Sequence, residues 1–188
     1  GVRLVGSEMC IRDRYYTGNT WRTTTATGLN DGWNHVAIIH DQVEVVILVN
    51  GNEVHRSNTP TFNFTSKDLF FGNSYKIDAY DDLNAVFDEI RIWDVARDIP
   101  QLVQDMDHQL VGDEGNLIAY YPMLEGSFED ESSTGNDLLY SSNTVERKIK
   151  FGEYINDYSL GFDGTDDRCN VSSPLSGDTA VSYTHLRA

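Results

Sequence analysis

Basic residues are scarce in this chain of 188 residues. It holds 14 lysine and arginine residues against 30 aspartate and glutamate residues, so its formal net charge is −16. Nucleic acids and anionic membranes bind to basic patches, and this charge therefore argues against both as partners. It suits neutral sugars, cations or basic proteins. The longest apolar run, 45–49, is far shorter than the ~20 residues that cross a bilayer, so we expect no membrane insertion.

The chain has only two cysteines, and the interpretation of its two ends decides how many of them belong to the native protein. Residues 1–14 and 181–188 resemble translated sequencing-adapter read-through at the ends of metagenomic gene fragments, so we predict a non-native leader and tail. Cys10 lies in this leader, which leaves Cys169 alone. A single thiol supports neither a disulfide framework nor a cysteine metal site, and we interpret Cys169 as a small core residue.

Strand signals dominate the chain. Segments 35–39 and 43–49 are rich in β-branched residues, and Asn50-Gly51 supplies the positive φ angles of a tight hairpin before a returning strand at 53–56. Segment 43–49 carries apolar side chains on both faces, which predicts a strand inside a two-layer sandwich. Further strands are predicted at 62–64, 69–71, 86–93 and 116–123, with two pieces within 160–171.

One helix is predicted after residue 98. Asp98 can cap its N-terminus, Gln101 stands three residues later, and Pro100 suits the first turn. Apolar residues recur at helical spacing and predict packing against a sheet. They are Ile99, Leu102, Val103, Met106 and Leu110.

Several segments together carry a resemblance to a known family. They are 33–37 (WNHVA), 45–51 ending in Val-Asn-Gly, 69–72 (LFFG), 87–95 (FDEIRIWDV), 117–126 (LIAYYPMLEG), 130–137 (DESSTGND) and 162–171 (FDGTDDRCNV). In this combination the chain resembles the laminin-G-like, concanavalin A-like jelly-roll family of bacterial secreted and surface proteins. The resemblance implies an all-β fold, a two-sheet antiparallel jelly-roll sandwich with one short helix.

The order of these segments implies a domain organisation. Residues 15–112 resemble the C-terminal part of one such module, and residues 113–180 resemble the N-terminal part of a following one. Left uncompleted, each part would expose hydrophobic sheet edges. We therefore hypothesise that the second part completes the sandwich of the first, as in a circular permutant.

The carboxylate spacing of a glycosidase is missing. Laminarinase- and lichenase-type enzymes share this fold and carry Glu-x-Asp-x-x-Glu or Glu-x-Asp-x-Glu on one strand, where alternate residues point to the same face. No glutamate here is followed by aspartate two residues later. Serine-histidine-aspartate, phosphate-loop and dinucleotide motifs are also missing. We therefore expect no catalytic activity.

A structural calcium ion is implied by the resemblance. In the family an aspartate on the closing strand often holds calcium with oxygens from the first strands, and Asp88 occupies that position here. Its implied helpers are Asp130, Asn136 and Asp137, whose oxygens are the hard ligands that calcium prefers. In the alternative interpretation, Asp88 accepts backbone N–H bonds or meets a nearby arginine, and Asp130 only starts a turn.

The predicted ligand-binding loop spans residues 73–84. Two tyrosines there could stack on the apolar face of a sugar ring, and three aspartates could accept hydroxyl hydrogens. These residues are Tyr75, Asp78, Tyr80, Asp81 and Asp82. The alternative is a solvated acidic loop.

The function expected from these features is a non-catalytic, extracellular or cell-surface module that binds carbohydrate or another protein in adhesion. Its neighbours would be flanking domains of the same parent chain. Two alternatives stay open: a structural spacer repeat without a ligand, and a fragment of a concanavalin A-like glycoside hydrolase. Exposed aromatics at one rim would favour binding, whereas a carboxylate pair about 5–9 Å apart in a groove would favour the hydrolase.

Overall fold

The chain folds into antiparallel strands with one short helix among the residues that the structure describes. The computed structural model describes residues 11–16, 21–26, 29–30, 32–58, 69–71, 84–124, 127–140, 145–148, 158–163, 169–171 and 180–187. The strands are β1 (Ile11–Tyr16), β2 (Trp21–Ala26), β3 (Asn34–His40), β4 (Glu44–Val49), β5 (Asn52–Asn58), β6 (Leu69–Phe71), β7 (Asn84–Phe87), β8 (Ile90–Trp93), β9 (Leu117–Tyr121), β10 (Leu138–Tyr140), β11 (Val145–Lys148), β12 (Tyr158–Asp163), β13 (Cys169–Val171) and β14 (Ala180–Arg187). Helix α1 (Ile99–Asp105) lies between β8 and β9. The all-β fold class is confirmed.

Two sheets form the layers of the sandwich. The larger one has the order β11-β12-β7-β14-β3-β4-β5, with β8 paired to β14 and to β9, and the smaller one has the order β10-β13-β6. A separate hairpin joins β1 and β2. Phe71 and Leu138 of the small sheet share a core cluster with Phe87, Ile90 and Ile92 of the large sheet. The main core therefore lies between the two sheets.

Strands β3 and β4 are buried on both faces. Val36 and Val49 point into the core between the sheets, whereas Val46 and Leu48 form a second cluster with Leu102 of α1. The prediction of apolar residues on both faces of β4 is confirmed. The second face needs apolar residues because the helix covers it.

Helix α1 begins as the sequence predicts. Asp98 is the N-cap: its carboxylate accepts the Gln101 N–H at 2.9 Å, and the Gln101 side chain accepts the Asp98 N–H at 3.3 Å. Pro100 occupies the first turn, where its missing N–H costs no helical hydrogen bond. In the part of the chain described, no helix is long and apolar enough to span a membrane.

The strand predicted before α1 is interrupted. Asp88 and Glu89 separate β7 from β8, and Glu89 takes a left-handed φ of 54°. This break shifts the alternation of faces, so Phe87 joins Ile90 and Ile92 in the core. An unbroken strand over the predicted 86–93 would put Asp88 on the face of those two isoleucines, and the break takes it off that face.

Strands from the two predicted parts of the chain pair with each other. β9 pairs with β8, β12 with β7, and β13 with β6. The predicted leader overlaps β1, and the predicted tail overlaps β14, which pairs with β3, β7 and β8. The predicted boundaries at 14, 112 and 180 stay predictions.

The loop of residues 111–115 joins the two predicted parts and is held closely. The Glu114 carboxylate accepts the N–H groups of Val111 at 2.8 Å and Gly112 at 2.9 Å. Burial raises the pKa of Glu114, but these N–H groups outweigh it, so the pKa lies below its usual 4.5. Gly112 has a φ of 95°, and a Cβ there would overlap the carbonyl oxygen of Glu131.

Replacing Gly112 therefore tests whether this loop is part of the folded unit. We expect Gly112→Ala to lower the free energy of unfolding by about 2–4 kcal/mol, because strain and overpacking add. Gly115→Ala is the matched control, since a Cβ at Gly115 meets nothing within 4 Å. Urea denaturation of both variants measures the difference, and equal stabilities would show that the loop is not packed as described.

Candidate functional site

The residues predicted to bind metal fall into two places. Asp130, Asn136 and Asp137 lie together in the loop between β9 and β10, and Asp88 lies at the break between β7 and β8. The Asp88 carboxylate accepts the Glu89 N–H at 2.9 Å. The predicted ligand-binding residues, Tyr75, Asp78, Tyr80, Asp81 and Asp82, lie outside the described residues.

The Asp130 loop, residues 127–137, is organised around one buried carboxylate. Asp130 Oδ1 accepts the N–H groups of Tyr120 and Ser132, both at 2.8 Å. Its Oδ2 accepts the Asn136 N–H at 2.7 Å and the Ser132 hydroxyl at 2.9 Å, and it lies 3.0 Å from the Thr134 hydroxyl oxygen. Four donors thus surround a side chain that is 9% exposed.

Further hydrogen bonds fasten this loop to β9. The side-chain amide of Asn136 donates to the Ile118 carbonyl at 2.8 Å, and the Thr134 hydroxyl donates to the same carbonyl at 2.6 Å. Asp137 Oδ1 accepts the Asp130 N–H at 2.9 Å. The Tyr121 hydroxyl donates to the Asn136 carbonyl. The hydrogen bonds of Ser132 and Thr134 were not predicted. Short polar side chains at every second position from 130 to 136 are a usable signal, because such side chains bind nearby backbone groups in turns.

These contacts bear on the implied calcium site. Four N–H and O–H donors compensate the Asp130 carboxylate and occupy directions in which it would bind a cation. In this arrangement Asp130 does not fit a calcium ligand, although oxygens of Asn136 and Asp137 are close by. Within the described ranges, no three His, Cys, Asp or Glu side chains are grouped to hold a metal. Calcium stays a prediction from the resemblance.

Thermal unfolding of Asp130→Asn in calcium and in chelator separates the two roles. We expect the variant to lose about 2–3 kcal/mol in both media, because an amide removes the charged acceptor of several hydrogen bonds. Asp113→Asn, in an exposed position of the preceding loop, is the control. A loss confined to calcium, with the wild type stabilised by calcium, would instead assign Asp130 to a metal site.

A second buried polar cluster lies under the break in the sheet. Glu89 and Arg91 are 0% and 2% exposed, and Arg91 Nη2 lies 2.9 Å from Glu89 Oε2. The Tyr120 hydroxyl donates to the same oxygen at 2.9 Å. Arg91 also donates to the carbonyl of Asp105 at 2.8 Å and to that of His108. It thereby satisfies carbonyl groups at and after the C-terminal end of α1.

The ionisation of this cluster reflects its burial. Burial raises the pKa of Glu89, and the Arg91 guanidinium and the Tyr120 hydroxyl offset part of that rise. Burial and the neighbouring Glu89 carboxylate raise the pKa of Tyr120 well above its usual value. The cluster was not predicted from the sequence. A usable signal is that Glu89 and Arg91, of opposite charge, stand two residues apart in a mostly apolar segment. Side chains at this spacing lie on the same face of a strand.

Removing Arg91 should lower the free energy of unfolding by an amount that depends on pH. We expect Arg91→Met to cost about 3–5 kcal/mol at pH 7, because Glu89 is left buried without its partner. The folded-state pKa of Glu89 is above its usual 4.5. The stability that this group contributes is therefore present below pH 4.5 and is lost as the pH rises through the folded-state pKa. Loss of Arg91 raises that pKa further.

The cost of Arg91→Met should therefore be smaller at pH 4.5 than at pH 7, as measured by denaturant unfolding at both values. Arg97→Met is the matched control, since the Arg97–Asp105 ion pair is partly exposed. A cost that is the same at both pH values would contradict the assigned coupling between Arg91 and Glu89.

Comparison with known proteins covers the first half of the chain. A family model described as the concanavalin A-like lectin/glucanases superfamily matches residues 5–102, just over half of the 188 residues. This range includes β1 to β8 and the start of α1, and it ends before the Asp130 loop. No curated protein and no solved structure matches the chain.

Proposed function

The chain belongs to the concanavalin A-like lectin/glucanases superfamily, and on this basis we propose that it is a non-catalytic carbohydrate-binding module of a secreted or cell-surface protein. The superfamily contains both sugar-binding and sugar-cleaving members, so the choice between them depends on the acidic residues. The resemblance inferred from the sequence is confirmed by the match. Location and ligand belong to the proposal.

The proposal that the module is non-catalytic is supported by the hydrogen bonds of its buried carboxylates. A retaining glycosidase needs two carboxyl groups about 5–5.5 Å apart that both face the substrate. Glu89 and Asp130 are the buried acidic residues in the described part of the chain. Glu89 is bound by Arg91 and Tyr120, and Asp130 by four donors of its own loop and β9. Both carboxylates thus bind groups of the protein interior rather than facing a substrate.

Charge and loop composition support a sugar as the ligand. A net charge of −16 repels anionic polymers, whereas neutral polysaccharides are insensitive to it. Tyr75 and Tyr80 are the aromatic residues proposed to stack on sugar rings, with Asp78, Asp81 and Asp82 as hydrogen-bond acceptors. Binding of a basic protein partner in adhesion is the second candidate, favoured by the same negative charge.

Retention on immobilised neutral polysaccharides tests the proposal. We expect the wild type to be retarded by at least one polysaccharide and the Tyr75→Ala/Tyr80→Ala double variant to lose most of that retention, since packing of a ring on each aromatic side chain is worth roughly 1 kcal/mol. Val111→Ala, at a position that is 81% exposed, is the control. Release of reducing ends would overturn the non-catalytic assignment, and retention on no polysaccharide would leave the spacer or protein-binding role.

A further inference from the structure

The turn between β4 and β5 contains the one Asn-Gly pair of the sequence, Asn50-Gly51. Asn50 has a φ of 50° and Gly51 a φ of 75°, the left-handed pair that a tight hairpin turn requires. This dipeptide is also chemically reactive. Because glycine has no side chain, its backbone nitrogen is little hindered in attacking the side-chain carbonyl carbon of the preceding asparagine. Such an attack converts the asparagine to an acidic residue.

The folded chain holds the Asn50 side chain at both of its polar atoms. Its Oδ1 accepts the His35 N–H at 2.9 Å, and its Nδ2 donates to Asn34 Oδ1 at 2.9 Å. The Asn50 backbone N–H donates to the His35 carbonyl at 2.8 Å. Attack at Cγ would make this planar amide tetrahedral and expel the nitrogen that binds Asn34. These hydrogen bonds must therefore break before Asn50 reacts.

Asn34 is the centre of a satisfied polar network and is 3% exposed. Its Oδ1 also accepts the Asn30 N–H at 2.8 Å, and its Nδ2 donates to the carbonyls of Asn30 at 2.9 Å and Gly32 at 3.2 Å. With the bond from Asn50, both donors and both acceptor positions of the Asn34 amide are used. The amide of Asn50 thus belongs to a network that also fixes the chain before β3.

An aspartate at position 50 does not fit this network. A carboxylate has no N–H group, so its second oxygen would face Asn34 Oδ1, which is another acceptor. Turning the Asn34 amide over gives no relief, because its oxygen would then face the carbonyls of Asn30 and Gly32. Buried polar groups without partners are costly. The closed turn therefore excludes the aspartate product.

Helix α1 leaves no room for isoaspartate, the other product. Isoaspartate continues the main chain through its side-chain carbonyl and so adds one backbone atom to the turn. A Cβ on Gly51 would lie 3.0 Å from Cγ2 of Val103 and 3.8 Å from the sulfur of Met106. The helix thus packs directly on the turn, and a longer turn would displace it.

We propose that Asn50 is a modification site that is closed in the folded chain and deamidates when the β4–β5 turn opens. In the open turn the Gly51 nitrogen attacks Cγ of Asn50, and the side-chain nitrogen leaves as ammonia. Water then opens the cyclic imide to aspartate or isoaspartate. Neither product fits the closed turn, so the change is irreversible and marks the molecules whose turn has opened.

Peptide mass spectrometry of the full chain in ¹⁸O-labelled water tests this site, because opening of the imide places the label at position 50. We expect deamidation of Asn50 to be at least about tenfold slower in buffer than in concentrated urea at the same neutral pH, since closed molecules do not react. Asn34→Ala should raise the rate in buffer about fivefold, because the loss of one hydrogen bond of about 1 kcal/mol favours opening. Asn58→Ala, at an exposed position at the far end of β5, should leave the rate unchanged.

A second measurement addresses the product. Asn50→Asp should unfold at a lower urea concentration than the wild type, whereas Asn52→Asp, which adds the same charge at an exposed position beside the turn, should unfold close to it. Equal deamidation rates of the wild type in buffer and in urea would overturn the proposal. An Asn50→Asp variant as stable as Asn52→Asp would overturn it as well. These two comparisons decide the proposal even if Asn34→Ala fails to fold.

Discussion

Glu89 and Asp130 place two carboxylates in the interior of a chain whose acidic residues outnumber its basic ones by 30 to 14. A buried charge costs several kcal/mol unless it is paired and hydrogen-bonded. Asp130 is compensated by N–H and O–H donors of its own loop and of β9, and Glu89 by Arg91 and a hydroxyl. Tyr120 helps to compensate both carboxylates, since its N–H donates to Asp130 and its hydroxyl donates to Glu89. Strand β9 thus joins the two buried anions.

The break before β8 explains how Arg91 reaches its partners. A continuous strand would put Phe87 and Glu89 on the same face, and one of them would then be misplaced. The left-handed backbone of Glu89 shifts the alternation of side chains between the two faces. Phe87 therefore stays in the core, while the Glu89 side chain contacts Arg91. Helix α1 has no basic residue in its last turn. Arg91, from the neighbouring strand, supplies the positive charge and the donors that its C-terminal end requires.

Local patterns in the sequence were sufficient to predict β3, β4 and α1, because alternation and the Asp98–Gln101 cap act over a few residues. The break at Glu89 depends on Arg91 and Tyr120 pairing across strands, and no local propensity of the segment reveals it. Similarly, segment 125–137 is acidic and rich in turn residues, which is typical of a surface loop, yet Asp130 is buried. Its burial depends on N–H groups of β9 that the sequence does not place beside it.

A chain of contacts links the buried Glu89 carboxylate to the Trp93 ring at the other end of β8. Arg91 binds Glu89 with one group and the Asp105 carbonyl with another. The Asp105 carboxylate in turn holds Arg97, which lies over the Trp93 ring. The position of Arg97 therefore depends on a helix end that is fixed from inside the sheet.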